Sequence, residues 1–176
     1  MIVTKGESRL AEALTEFFSG LGLSNEMVIF LVSVLPVIEL RGGLIAAAIL
    51  GVKWYVAFPI CFVGNMLPIP FILLFIRKIF AWMKQVRWLK KWIEKLENKT
   101  RKKGARIQKG WLIGLIIFVG IPLPGTGGWT GALAADLLDI RFKHALPAIT
   151  IGVALAGAIM LILTYFFPGL FGFVFQ

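Results

Sequence analysis

Two charged residues lie inside an apolar part of the chain, where they could bind or exchange ions. Glu39 and Arg41 belong to the stretch LPVIELRGGLIAAAILG, residues 35–51, and two glycines follow them. A charged side chain at the centre of a bilayer costs about 3 kcal/mol or more and usually faces a cavity or a partner. In a segment broken by Gly42 and Gly43, both side chains could point into one cavity. The pair is therefore a candidate functional site, and a purely structural ion pair is the alternative.

A glycine-rich turn in the second half of the chain could bind an anion. The stretch PLPGTGG, residues 122–128, carries no charge and precedes a helical stretch that begins near Trp129. Free backbone N–H groups at a helix N-terminus bind anions. If the two breaks meet, this turn and Arg41 would hold one anionic group, and Glu39 would exchange a proton. The substrate-binding residues of the turn would be Gly125, Thr126, Gly127 and Gly128. A tight turn that needs glycine conformations is the alternative.

Other polar residues suggest fewer roles. Asp136 lies one helical turn deeper in its segment than Asp139 and could belong to a proton path. Asn65 could contact a hairpin or simply join neighbouring helices. Cys61 is the single cysteine and is expected to pack as a small hydrophobe. The sequence contains no His or Cys cluster, metal-ligand spacing or nucleophile motif, so we expect no cofactor, no metal and no enzymatic activity.

The composition is that of a membrane protein. Hydrophobic residues make up 59% of the 176 residues, and the mean hydropathy is +0.86, far above a typical soluble domain. The net charge is +10, and 13 of the 19 Lys and Arg residues lie in the segment 77–109. By the positive-inside rule, we expect this segment to be cytoplasmic.

Amphipathic segments flank the apolar ones. Within 77–109, apolar residues recur at helical spacing among basic ones, which predicts a helix on the inner membrane surface that contacts anionic lipid headgroups. Nucleic acid is not expected as a partner, because the segment is short and tied to membrane spans at both ends. Residues 1–25 form a second amphipathic segment, predicted to rest on the outer interface. Residues 168–176 form a C-terminal tail.

Two parts of the chain share one pattern. VKWYVAFPICFVG, residues 52–64, and IRFKHALPAITIG, residues 140–152, match in an aliphatic residue, a base, an aromatic residue, alanine, proline and glycine. Upstream of each copy lies an apolar segment broken near its centre, by LPVIELRGG in the first half and IPLPGTGG in the second. This arrangement predicts an internal repeat.

Each repeat is predicted to contain a broken segment followed by a continuous one. The continuous segments, 54–76 and 142–167, exceed the roughly 20 residues that cross a bilayer. In the broken segments, 26–52 and 110–138, proline and glycine would strain a continuous helix, which favours re-entrant helical hairpins.

This arrangement fixes the relation between the repeats. A re-entrant hairpin returns to its own side of the membrane, so with one crossing per repeat the second repeat starts on the opposite side and the repeats are inverted, as in many transporters. If instead each broken segment crossed fully, the repeats would be parallel and the protein would be a four-span bundle. The predicted fold class is an all-α integral membrane protein with two inverted repeats and amphipathic interfacial helices.

The repeats carry a family resemblance. The stretches LPVIELRGGLIAAAILGVKWYVAFPICFVGN and GIPLPGTGGWTGALAADLLDIRFKHALP resemble the small multidrug export protein family of prokaryotes, over residues 26–167. A more distant similarity is to the DedA family, which includes proposed transporters of undecaprenyl phosphate. This similarity implies that Glu39 matches an acid of the first re-entrant loop, and Pro124 and Gly125 the turn of the second. DedA second loops usually carry arginines, and here Arg41 would have to replace them.

Three functions are consistent with these features. The first, which we favour, is a proton-coupled secondary transporter of an anionic lipid or amphiphile similar to a polyprenyl phosphate. The second is an exporter of small lipophilic cationic drugs, and the third is a non-transporting membrane scaffold whose partner surface is the basic segment. In each case we expect a multi-pass protein of the inner (plasma) membrane with membrane lipids as partners. A homo-oligomer is left open.

Overall fold

The chain folds as an all-helical protein in the residues that its computed structural model describes, which are 5–83, 108–123, 125–138 and 140–167. No strand occurs within these ranges. The helices are α1 Lys5–Gly20, α2 Asn25–Val34, α3 Glu39–Ile49, α4 Trp54–Met66, α5 Pro68–Met83, α6 Gln108–Gly120, α7 Gly128–Leu137 and α8 Phe142–Leu161, continued by a π-helix Ile162–Phe166. Most of the predicted basic segment 77–109, together with the predicted C-terminal tail, lies outside the described residues.

Two helical stretches are long and apolar enough to cross a membrane. The first, Trp54–Phe75, has 22 residues and a hydropathy of 2.0. It joins α4 to α5 through Leu67, whose backbone is helical and whose N–H donates to Val63 O. The second, Phe142–Phe166, has 25 residues and a hydropathy of 2.4 and consists of α8 and the π-helix. A membrane span needs about 20 apolar residues, so both meet the requirement.

Helices α2 and α3 form an antiparallel hairpin. The Asn25 side chain, at the start of α2, donates from Nδ2 to Leu50 O just beyond the end of α3, at 3.3 Å. At the other end, the Ser33 side chain lies so close to Gly43 that a β-carbon there would collide with it. The hairpin turns where Leu35 is extended, because the proline that follows it disfavours the helical conformation.

Helices α6 and α7 are joined by a longer break, residues 121–127. Helix α6 ends at Gly120, directly before the Ile121-Pro122 pair, and a residue that precedes proline disfavours helix. At the start of α7, Gly131 packs so tightly on Val119 of α6 that a β-carbon would overlap it. The two helices therefore meet beside the break.

The two halves use equivalent residues at positions 88 apart. Lys53 and Arg141 precede α4 and α8 with nearly the same backbone angles, φ −65° and ψ 138° for the first and φ −64° and ψ 141° for the second. The carbonyl of each accepts N–H groups from the residues three and four positions later, at 2.8–2.9 Å. The two spans thus begin in the same way.

A glycine at matching positions brings each hairpin close to the span of its own half. A β-carbon on Gly64 of α4 would lie 2.9 Å from Phe30 O in α2, and one on Gly152 of α8 would lie 3.1 Å from Ile116 O in α6. Real Cβ atoms rarely approach a backbone oxygen so closely, so both glycines are required by helix contact. The first helix of each hairpin therefore packs on the span that follows it.

The second helix of each hairpin contacts the span of the other half. Leu40 of α3 fills the space over Gly157 of α8, where a β-carbon would lie 2.9 Å from the leucine side chain. In the other half, Gly128 of α7 faces Ile69 of α5, with a β-carbon 3.0 Å from the isoleucine. These contacts are counterparts, because positions 40 and 128, like 69 and 157, are 88 residues apart. The large residue is on the hairpin in one contact and on the span in the other.

Helix α1 covers the first hairpin. It packs against α2 and α3, with Ala11 and Thr15 buried in the contact. Gly42 of α3 lies against Ala11, with a β-carbon built on the glycine 3.6 Å from the alanine methyl group. The core of the protein lies between the hairpins and the two long helices, so α3 begins inside it.

Candidate functional site

The candidate site is the contact between the two breaks, which we define by Glu39, Arg41, Leu123, Gly127 and Trp129. It lies where α3 begins, between the first break and the turn that precedes α7. Glu39 is only 5% exposed and Arg41 only 8%. Such burial of charged residues requires partners, and both have them.

The Glu39 carboxylate caps α7 from the other half of the chain. Trp129 N–H, in the first turn of α7, donates to Glu39 Oε1 at 3.2 Å. Helix N-terminal N–H groups have no partner within the helix, and a carboxylate there also interacts favourably with the helix dipole. Gly127, at the N-cap position of α7, has no side chain that could do this, so Glu39 supplies the cap.

Gly127 leaves the space that the carboxylate occupies. A β-carbon built on Gly127 would overlap Glu39 Oε2. The backbone of Gly127 is extended, with φ −174°, a conformation open to any residue. Glycine is therefore required here by the contact with Glu39 and not by backbone geometry. Its own N–H donates to Thr130 Oγ1 at 2.8 Å.

Arg41 links the same two breaks a second time. Its Nη1 donates to Leu123 O, and its Nη2 lies 3.7 Å from Glu39 Oε2. The guanidinium thus neutralises the carboxylate while holding the backbone of the second break. With one positive and one negative charge, the pair adds no net charge to the buried site.

Glu39 itself has an unusual backbone conformation. Its φ is 54°, the sole positive value among non-glycine residues in the described ranges. The left-handed region costs an ordinary residue about 1–2 kcal/mol, and such strain occurs at functional sites when surrounding contacts hold it in place. Here the cap on α7 and the pair with Arg41 are those contacts.

The remaining predicted site residues lie at different distances from this contact. Gly128 adjoins it as the first residue of α7, whereas Gly125 is exposed, with φ 77° and open space around it. The Thr126 hydroxyl lies 2.8 Å from both Ile121 O and Leu123 O, so it stabilises its own turn. Asp136 is half-buried, eight residues beyond the start of α7 and thus about 12 Å along the helix.

Sequence reasoning missed three contributions to the site, which are the N–H of Trp129, the carbonyl of Leu123 and the hydroxyl of Thr130. Two of these are backbone groups, which residue type does not reveal. The glycine-rich turn predicted free N–H groups at the start of α7, but no local pattern indicated that Glu39 accepts one of them.

Comparison with known proteins identifies the family. Residues 39–159 match the family described as "Putative small multi-drug export protein". The chain belongs to this family. The matched region begins at Glu39 and contains the whole site, and within the described ranges it includes α3 to α7 and all but the last two residues of α8. No curated protein matches the chain, and no solved structure matches it.

The family and the two apolar helices make this a membrane protein of an export family, not of an enzyme family. The small multidrug export resemblance found in the sequence is confirmed by the match. The more distant similarity to DedA proteins stays a prediction.

Proposed function

We propose that the protein is a secondary transporter of the inner membrane, in which protonation of Glu39 is coupled to movement of an amphiphile with an anionic headgroup. The observation that carries the proposal is the position of the Glu39 carboxylate. It is buried, it joins the two halves of the chain, and it occupies an anion-binding helix end beside Arg41.

Protonation would change every contact of this carboxylate. A neutral Glu39 no longer forms an ion pair with Arg41 and interacts less with the dipole of α7. The guanidinium and the Trp129 N–H then become available to an anionic headgroup. Because a proton and a monoanion enter together, the site keeps its net charge of zero throughout. This pairing is the physical basis of the proposed coupling.

The hairpins suit an arrangement in which neither crosses the membrane. Helices α2, α3 and α7 have 10 or 11 residues and are therefore about 15–17 Å long, roughly half of the 30 Å hydrocarbon core. A hairpin of such helices returns to the side from which it entered. One span follows each hairpin, so the second hairpin enters from the opposite side and the repeats are inverted. In this arrangement the basic segment 77–109 is cytoplasmic.

The reciprocal contacts between the halves support this arrangement. The contacts of Leu40 with Gly157 and of Gly128 with Ile69 are the pairs that an approximate two-fold axis between the halves would exchange. Helical breaks placed at such an axis are where transporters with inverted repeats bind substrate. The Glu39 carboxylate lies at this junction.

The family description favours a second candidate, export of lipophilic cationic drugs. In that case the cargo cation would replace Arg41 beside Glu39. The two candidates differ in the sign of the cargo. They also differ in which residue the cargo binds, Arg41 for an anion and Glu39 for a cation.

A binding survey in detergent separates the two candidates. The probes are a polyprenyl phosphate, a zwitterionic lipid of similar chain length and a lipophilic cation. We expect the anionic lipid to bind at least about tenfold more tightly than the zwitterionic one, a difference of about 1.4 kcal/mol. Arg41→Gln should remove this preference, whereas Lys53→Gln, at an exposed base outside the site, should keep it. If only the lipophilic cation binds saturably, the cargo is a cation and the first candidate is wrong.

Cysteine accessibility tests the arrangement in the membrane. In a Cys61→Ala background, single cysteines at Leu40 and Thr126 should label poorly from either side. Cysteines at Lys5 and Lys109 should label from opposite sides. Labelling of the cysteines at positions 5 and 109 from the same side of the membrane would contradict the inverted arrangement.

A further inference from the structure

The place that the Glu39 carboxylate occupies is built as a binding site for an oxyanion. One oxygen accepts the Trp129 N–H at 3.2 Å, and the other lies 3.7 Å from Arg41 Nη2. A β-carbon on Gly127 would overlap the carboxylate, so the carboxylate fits there only because that residue is glycine. These three groups come from two breaks that are 88 residues apart. We call this place the carboxylate seat.

Trp129, whose backbone N–H holds Glu39, also has a side-chain donor without a partner in the part of the chain that the structure describes. Within the described residues, the indole Nε1 of Trp129 is buried and has no hydrogen-bond partner. A buried donor without an acceptor is unfavourable and calls for an explanation. It belongs to the residue whose backbone N–H holds Glu39. A ligand whose acceptor oxygen reaches Nε1 would give this donor a partner.

The backbone of Glu39 suits a side chain that can leave. Its φ of 54° is a strained conformation for glutamate, and it is maintained while the carboxylate stays in the seat. Withdrawal of the side chain would let the residue relax. The seat would then be empty beside the Arg41 guanidinium, which still donates to Leu123 O.

We propose that the Glu39 carboxylate is an internal ligand of the transporter, which occupies the seat until an external carboxylate or phosphate monoester takes its place. The identification of that external group with cargo rests on the proposed function. The existence of the seat does not, because it can be measured without transport.

Two variants distinguish an empty seat from a filled one. Glu39→Gly removes the side chain, and glycine accepts φ 54° without strain. Glu39→Gln also lacks the charge, but its side chain still fills the seat. Glu39→Ala provides a second empty seat if glycine loosens the start of α3. The probes are sodium formate and inorganic phosphate, compared with sodium chloride at equal ionic strength.

We expect formate or phosphate to raise the Tm of Glu39→Gly and Glu39→Ala by a few degrees in a saturable manner, as a ligand that binds only the folded state does. Glu39→Gln and the wild type should respond much more weakly, because in both the side chain competes with the anion for the seat. Whichever anion acts identifies the headgroup chemistry, and adding Arg41→Gln should abolish the effect. An equal rise in the empty and filled variants, or no rise in either empty variant, would overturn the proposal. If the empty variants respond but the wild-type protein transports no anion in proteoliposomes, the anion-binding seat is confirmed and the transport proposal is wrong.

Discussion

The two breaks lie at matching positions of their halves and contribute different groups to one site. The first break contributes the charged side chains of Glu39 and Arg41. The second contributes backbone, through the N–H of Trp129 and the carbonyl of Leu123, together with the space beside Gly127. Glu39 and Gly127 are equivalent positions, so the residue that fills the space and the residue that leaves it are counterparts. A site of this kind exists only where both halves meet.

The same division appears in the packing around the site. Leu40 is large and faces the small Gly157, while its counterpart Gly128 is small and faces the large Ile69. In each contact a large residue of one half packs on a glycine of the other. The breaks should therefore be tested as a pair, because a substitution in one acts on a group of the other.

The largest effect is expected from Arg41→Ala, which removes the partner of a buried carboxylate. Loss of one member of a buried ion pair typically costs about 3–5 kcal/mol. Unfolding of the purified protein in detergent measures the change. A loss below about 1 kcal/mol would mean that the charge is not buried in the folded protein.

A smaller effect is expected from Gly127→Ala, whose methyl group would overlap the Glu39 carboxylate. Overpacking of this kind costs about 1–3 kcal/mol. In a Glu39→Gly background the same Gly127→Ala substitution should cost little, because the overlapping group is gone, and the coupling in a double-mutant cycle should be about 1 kcal/mol or more. Gly114→Ala, on an exposed face of α6 with open space around it, is the matched control and should be neutral or stabilising by up to about 1 kcal/mol. If the stability losses of Gly127→Ala and Glu39→Gly are additive, the two residues do not interact.

The smallest effect concerns the backbone of Glu39. Glu39→Gly and Glu39→Ala remove the same carboxylate and differ in how they tolerate a φ of 54°. We expect the glycine variant to be more stable by about 1 kcal/mol, measured as the difference between their unfolding midpoints. An alanine variant that is the more stable of the two would show that this residue is not held in the left-handed region.

Much of the fold could be predicted from composition and periodicity. The high hydropathy and the long apolar runs indicate an all-helical membrane protein, and the Leu-Pro pair at Leu35 explains where the first break begins. The cap that Glu39 places on α7 could not be predicted, because it depends on the distance between residues 88 apart. Local sequence patterns do not report the distance in space between residues that are far apart in the chain. The bonds of the Thr126 hydroxyl to its own turn were not predicted, although threonine commonly makes them when a nearby carbonyl is within reach; a role of Thr126 in ligand binding stays a prediction.

The most direct test of the central claim is the double variant Glu39→Gln with Arg41→Gln, measured for both Tm in detergent and transport of an anionic amphiphile in proteoliposomes. The substitution replaces both charges with neutral groups of similar shape, so neither charge is left buried alone. If the pair is the transport site, the variant should unfold near the wild-type Tm and move cargo no faster than protein-free liposomes. Full transport by a stable double variant would show that the pair serves only the structure and would contradict its role as the transport site.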